Sequence, residues 1–420
     1  MSTAPVAAPL VARTVAIPDP GALLARLPPA GALAWVRRGE GLAGWGEVVR
    51  FRTRGPDRIA EAERSWAGLV EHAVVRDEVG LPGCGPVAFG SFSFAPGSRA
   101  GGVLVVPEMV LGHRGDRWWL TSIGMGAVLP RPGMLPDVPA PSSPGEVTFA
   151  DGALTGPQWE AVVAEALRRI EGGALDKVVL ARDLEARTRY PVDPRWVLLR
   201  LAERYPECWT FSVDGLLGAT PELLLRREKG LVTSRVLAGT IRRTGDDEHD
   251  LANAASLARS SKDREEHEYA VQSVAEALAP HCTSTNVPDA PFVLHLANVM
   301  HLATDVTGVL ADLQTSSLGL AAALHPSAAV CGTPTAAAAA LIGELEAMDR
   351  DRYAGPVGWM DAAGDGEWGI ALRCGRMAAR DARRMRLFAG CGIVTGSDPQ
   401  AEVAESAAKL VPMRDALAPD

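Results

Sequence analysis

The sequence predicts a mixed α/β protein, and three observations carry that prediction. Short stretches alternate apolar and polar residues with the two-residue period of a strand. Longer stretches space their apolar residues three and four apart, as amphipathic helices do. Tight turns such as Glu228-Lys229-Gly230 join neighbouring strand segments directly, which favours antiparallel or mixed sheets over a strictly alternating parallel fold.

Taken in order, strands are expected at 41–53 (GLAGWGEVVRFRT), 86–95 (PVAFGSFSFA), 102–114 and 116–124, with one helix over 57–75. Trp118-Trp119 and the other tryptophans read as core. Six prolines between Pro130 and Pro144 (PRPGMLPDVPAPSSP) exclude helix and central strand and mark an exposed, extended linker. That linker divides the chain into 1–145 and 146–420, with the upstream strands able to join a larger sheet. Downstream, helices are expected at 155–173, 194–206, 256–280, 316–326, 334–350 and 399–417. Strands are expected at 176–187, 208–215, 216–228, 230–243, 355–364, 367–379 and 385–394.

Composition narrows the function classes. A chain of 420 residues, 47% hydrophobic, can bury a large core. A net charge of −9 with no basic, aromatic-interleaved stripe argues against nucleic acid as a partner. Six cysteines stand singly with no C-x-x-C pair, so reduced thiols are expected. The apolar N-terminus MSTAPVAAPLVARTVAIPDP lacks a basic stretch before its apolar run and does not read as a signal peptide. The smooth apolar run Ala336 to Ile342 is too short to span a bilayer. The expectation is a cytoplasmic protein with no membrane partner.

Four places could carry chemistry. Lys177 heads the apolar strand segment Val178-Val179-Leu180-Ala181, and alternation puts it on one face with Val179 and Ala181. A buried ammonium is expensive unless something uses it. On the helix that follows Lys262, Glu266 projects in line with Ala270, Val274 and Ala277; the plain alternative is a first-turn acid stabilising the helix dipole. Glu402, Glu405 and Lys409 share one helix side, which fits either a solvated salt bridge or a functional cluster behind the anion-friendly turn TGSDP. Carboxylates from two helices with few histidines nearby suit Mg²⁺. Finally, Glu222 in Thr220-Pro221-Glu222 precedes an apolar run that could raise its pKa, or is an exposed turn residue.

The stretches DKVVLAR, GATPELLLRR, RVLAGTIRR, SSKDREEHEY, HLATDVTGVL, HPSAAVCGTPT, RYAGPVGWMD, ALRCGRM and LFAGCGIVTGSDPQAEVAESAAKL, over roughly 160–412, together resemble the chorismate-utilising enzymes. That family comprises the isochorismate, salicylate, anthranilate and aminodeoxychorismate synthases. The resemblance implies an α/β (α+β type) unit of two facing, mostly antiparallel sheets with helices outside, like anthranilate synthase component I. It implies Lys177 as general base, Glu222 as general acid, and Glu266 and Glu405 as Mg²⁺ ligands with Glu402 nearby. It implies further that Arg373 and Lys409 hold substrate carboxylates, supported by Gly239, Thr240, His301, Tyr353 and Gly392.

Within that family the nucleophile separates the members. Val236-Leu237-Ala238-Gly239-Thr240 lacks the nucleophilic lysine of aminodeoxychorismate synthases, while Lys177 departs from the anthranilate synthases. Water is then the expected nucleophile, no glutaminase subunit is expected, and a monomer fits the type. The reaction implied is the Mg²⁺-dependent, reversible isomerisation of chorismate to isochorismate, serving menaquinone or siderophore biosynthesis. A salicylate synthase, which goes on to eliminate pyruvate, is the alternative. A chorismate-binding protein without chemistry is a third reading, disfavoured by the joint presence of Lys177, Glu222, Glu266 and Glu405.

Overall fold

The computed structural model describes residues 8–297 and 299–419. Two large sheets organise it, one of 13 strands and one of 10, and the only parallel pairing among the described strands joins Leu10–Ile17 to Val74–Asp77. The inner faces share one core, where Trp35, Leu180 and Phe211 of the larger sheet cluster with Phe89, Leu104 and Trp368 of the smaller. On the larger sheet, the helices Pro194–Arg204 and Pro399–Leu417 bury Val197, Leu201, Leu410 and Met413 with Leu184, Leu217 and Leu387 of its strands. The helix Ser261–Leu278 lies against the smaller sheet through Ala270 and Val274. The expected two-sheet fold is therefore present. Strands from both sides of the proline-rich segment occupy both sheets, and residues 129–145 between them carry no helix or strand.

Several elements differ from the sequence expectation. The apolar N-terminal run forms the strand Leu10–Ile17, paired along its whole length with Arg117–Met125; residues 1–7 lie outside the described residues. The expected helix at 256–280 is two helices, Asp247–Arg259 and Ser261–Leu278. Ser260 breaks it by leaving helical geometry and accepting a hydrogen bond from the Asp263 N–H. Val299–Leu310, for which no strand was expected, pairs with Leu231–Arg242 as the second strand from one edge of the smaller sheet. Trp119 is core, but Trp118 is only half-buried and stacks on His113. No helix among the described residues is long and apolar enough to cross a membrane.

The two stretches read as single long strands at 216–228 and 367–379 are each two strands in different sheets. Leu216–Thr220 belongs to the larger sheet and Leu223–Glu228 to the smaller, while Gly366–Ile370 and Cys374–Met377 make the reverse crossing. The crossings are tied together: the Thr220 hydroxyl donates to Ile370 O (2.6 Å), the Ile370 N–H to Glu222 O (3.2 Å) and the Ala219 N–H to Arg373 O (3.2 Å). Glu222 and Arg373 therefore sit side by side where the sheets exchange chain.

Candidate active site

A cavity with about 670 Å³ of atom-free space, its open mouth included, lies at these crossings. Its walls include Glu222, Gly239, Thr240, Glu266, His301, Tyr353, Arg373, Gly392 and Lys409. Nine of the twelve site residues expected from the sequence thus line one cavity, although they come from eight separate places in the chain. Lys177, Glu402 and Glu405 stand behind its wall.

Lys177 is the first residue of the strand Lys177–Thr188 and is fully buried. Its Nζ lies 3.2 Å from Glu266 Oε1 but not in hydrogen-bond geometry, so the ammonium has a charge partner without a bonded one. Glu266 stands in the second turn of Ser261–Leu278, not the first, and reaches the cavity. Gly392 makes this approach feasible, because a Cβ there would fall 2.1 Å from Glu266 Oε1 and 3.2 Å from Lys177 Cε.

Glu222 is buried, and its carboxyl is pushed up to about 8 by desolvation, with Lys177, the Leu237 N–H, Arg373 and Lys409 pulling the other way. Burial wins, so the group carries a proton near neutrality. The exposed-turn alternative does not hold.

Arg373, in a left-handed conformation (φ 47°), has no ion-pair partner among the described residues and donates to His301 Nε2 at 3.3 Å. An arginine can only donate, so His301 Nε2 accepts and its proton sits on Nδ1, which donates to Thr240 Oγ1 at 3.1 Å. Burial, with Arg373 and Lys409 nearby, holds His301 far below its usual range, so it stays neutral. The strand pairing shifts register between Ala238 and Thr240, leaving Gly239 bulged at φ +75°. The bulge turns the Ala238–Thr240 backbone along the cavity wall.

Lys409 is engaged by Glu405 (2.5 Å) and Gly390 O (3.0 Å); despite burial, Glu405 holds its ammonium above the ordinary lysine range. The salt bridge weighed from the sequence exists, but it is half-buried rather than fully solvated. The TGSDP turn does not present an anion site: Asp398 caps the helix itself by accepting from the Ala401 N–H (2.8 Å).

The donor set fits a hard cation. Oxygens of Glu402 and Glu405 and the Cys391 sulfur lie within 4.8 Å of one another, and Glu266 also lies within electrostatic range of Cys391. Burial holds the Cys391 thiol well above its usual range and it donates to Glu402 O, so it is no metal ligand. What remains are three carboxylates, the ligand chemistry of Mg²⁺ rather than of a soft metal.

Sequence reasoning missed Arg350, which lines the same cavity, and its partner Glu346. Their i,i+4 spacing in a stretch already singled out was the available signal. His267 Nε2 shares a hydrogen bond with Thr304 Oγ1 (2.7 Å) and His325 Nε2 donates to Phe94 O (3.0 Å), consistent with structural roles.

Comparison with known proteins agrees with this geometry. The model of the chorismate binding enzyme family matches residues 27–125 and 139–418. Isochorismate synthase DhbC of Bacillus subtilis (strain 168) is 40% identical over 269 residues, 61% of this chain and 67% of that one. The crystal structure of a 2,3-dihydroxybenzoate-specific isochorismate synthase, DhbC from Bacillus anthracis, described there as putative, superposes with a TM-score of 0.77 at 30% identity, covering 94% of this chain and 98% of the other. Anthranilate synthase component I from Streptococcus pneumoniae TIGR4 shares the fold, with a TM-score of 0.69 at 20% identity over 90% of this chain and 92% of its own. With its sequence, fold and cavity in agreement, the chain belongs to the chorismate-binding enzyme family.

Proposed function

We propose that this protein is an isochorismate synthase, an isomerase that converts chorismate to isochorismate reversibly and with Mg²⁺. The observation that carries the reading is the pairing of a carboxyl protonated near neutrality, Glu222, with the buried amine of Lys177, beside a cavity whose unpaired cation is Arg373. An acid, a base and a carboxylate receptor in one place are the parts an allylic hydroxyl exchange requires.

In this reading Arg373 takes a substrate carboxylate through its guanidinium, oriented by the His301–Thr240 relay. Lys409 adds its one donor not engaged by Glu405 or Gly390 O. Lys177 accepts a proton from water as the water oxygen bonds to C2. The ring double bonds shift, the C4–O bond breaks, and Glu222 gives its proton to the departing hydroxyl, which leaves as water. One water enters and one leaves, so the outcome is an isomerisation. Glu266, Glu402 and Glu405 would hold Mg²⁺, which when bound supplies positive charge to offset and orient a substrate carboxylate. Water as nucleophile makes a glutaminase partner unnecessary.

The test is incubation of the purified protein with chorismate, with and without Mg²⁺, and separation of the products by chromatography. Metal-dependent isochorismate is the expected result. Salicylate with pyruvate would move the assignment to a salicylate synthase, and bound, unchanged chorismate would sink the catalytic reading.

A further inference from the structure

The strand Lys177–Thr188 is paired along one edge with Arg384–Val394, but its other edge is covered only at the ends. Gly332–Thr333 pairs with Lys177 and Val178, and Val147–Asp151 with Leu184 to Thr188. The gap falls beside Val179, which lines the cavity, two residues from Lys177. Apart from two backbone bonds, from the Val179 N–H to Cys331 O (2.8 Å) and from the Gly152 N–H to Asp183 O (3.1 Å), the groups exposed there are met by side chains. Arg350 Nη2 donates to Val179 O (2.6 Å), Glu346 Oε1 accepts from the Ala181 N–H (2.7 Å), and the indole of Trp159 donates to Ala181 O (3.1 Å).

Glu346 and Arg350 are both almost wholly buried (1% and 3% exposed) and bond to each other through Arg350 Nε (2.8 Å) and a second, shorter contact. Arg350 also donates to Val330 O (2.9 Å) and lies over the Phe94 ring. Although Arg350 reaches the cavity wall, its charge is matched by Glu346 and its donors point to the backbone. It is therefore not a second receptor for substrate carboxylate.

We propose that Glu346 and Arg350 are positioning residues for Lys177: acting as a side-chain substitute for a missing strand, they fix the height of its strand and hence of its amine. The inference rests on the reading of Lys177 as the base. With no hydrogen bond of its own, Lys177 Nζ takes its position from the backbone, and displacement by about 1 Å can lower a rate roughly 100-fold.

Three variants test it: Glu346→Gln, Arg350→Gln and the double substitution. Each is assayed for kcat and KM on chorismate, for thermal unfolding, and by crystallography for the Lys177 Nζ position. Each single variant leaves one buried charge uncompensated and should melt lower; the double removes both charges and should recover part of that loss. In all three, kcat should fall at least tenfold with KM within about threefold, and Nζ should shift relative to Glu266 Oε1. A double variant that is folded and turns over at the wild-type kcat, or one whose Lys177 is unmoved, overturns the proposal. If wild-type protein makes no isochorismate, the base reading itself fails, and the crystallographic arm still decides whether the pair places Lys177.

Discussion

Lys177 Nζ and Glu266 Oε1 approach to 3.2 Å from two different elements, the first residue of a strand next to the edge of the larger sheet and the second turn of a helix. The lysine is fully buried and otherwise unbonded, an arrangement that folding alone would not favour. Lys177→Ala should therefore lower kcat by about 10²–10⁴ while KM changes little. Steady-state kinetics on folded protein would measure it, and a residual rate within tenfold of wild type would remove Lys177 as the base.

Glu222 makes a prediction about pH. With its folded carboxyl near 8 and an ordinary value of 4.5, it is neutral in both states in acid. Between those values only the unfolded chain ionises, so this group lowers stability as pH rises from 4.5 to 8 and adds nothing further above that. Glu222→Gln cannot ionise. It should abolish turnover yet melt higher than wild type at pH 8, by an amount on the order of a few kcal/mol that shrinks toward pH 5. Wild-type kcat should also fall as pH passes through about 8 and the acid is lost. Melting curves that run parallel across that range would contradict the assignment.

Arg373 and the relay behind it predict a binding defect. The guanidinium has no carboxylate partner among the described residues, and His301 fixes its orientation. Arg373→Lys keeps the charge but loses the fork that matches a carboxylate, so KM should rise tenfold or more. Thr240→Val leaves His301 Nδ1–H without its acceptor and should raise KM by a smaller factor. An unchanged KM in Arg373→Lys would assign substrate recognition elsewhere.

Sequence legibility followed the range over which each feature is encoded. Alternation around Lys177 and helical spacing around Glu266 and Glu405 are local, so these faces could be read directly. That Glu222 and Arg373 meet depends on two sheet crossings hydrogen-bonded across about 150 residues of separation, which no local pattern encodes. The break at Ser260 was missed because its flanks both read as helix and the capping hydrogen bond to Asp263 outweighs continuity. Glu346 and Arg350 were missed for a similar reason: their partners, Val179 O and Ala181 N, lie far away in sequence.

Gly392 gives the most stringent test of the carboxylate cluster. It pairs with Val179 of the neighbouring strand, and a Cβ on it would stand 2.1 Å from Glu266 Oε1, too close for any adjustment short of moving that carboxylate. The backbone at Gly392 is ordinary strand, so alanine itself is tolerated conformationally and the fold should persist. Gly392→Ala should therefore displace Glu266 from Glu402 and Glu405 without unfolding the protein. Mg²⁺ titration by calorimetry should show affinity falling by a factor of ten or more, with activity recovering only at raised Mg²⁺. Treatment of wild-type protein with a chelator should abolish turnover reversibly. Normal Mg²⁺ affinity in Gly392→Ala would mean that Glu266 is not a ligand and serves only as the partner of Lys177.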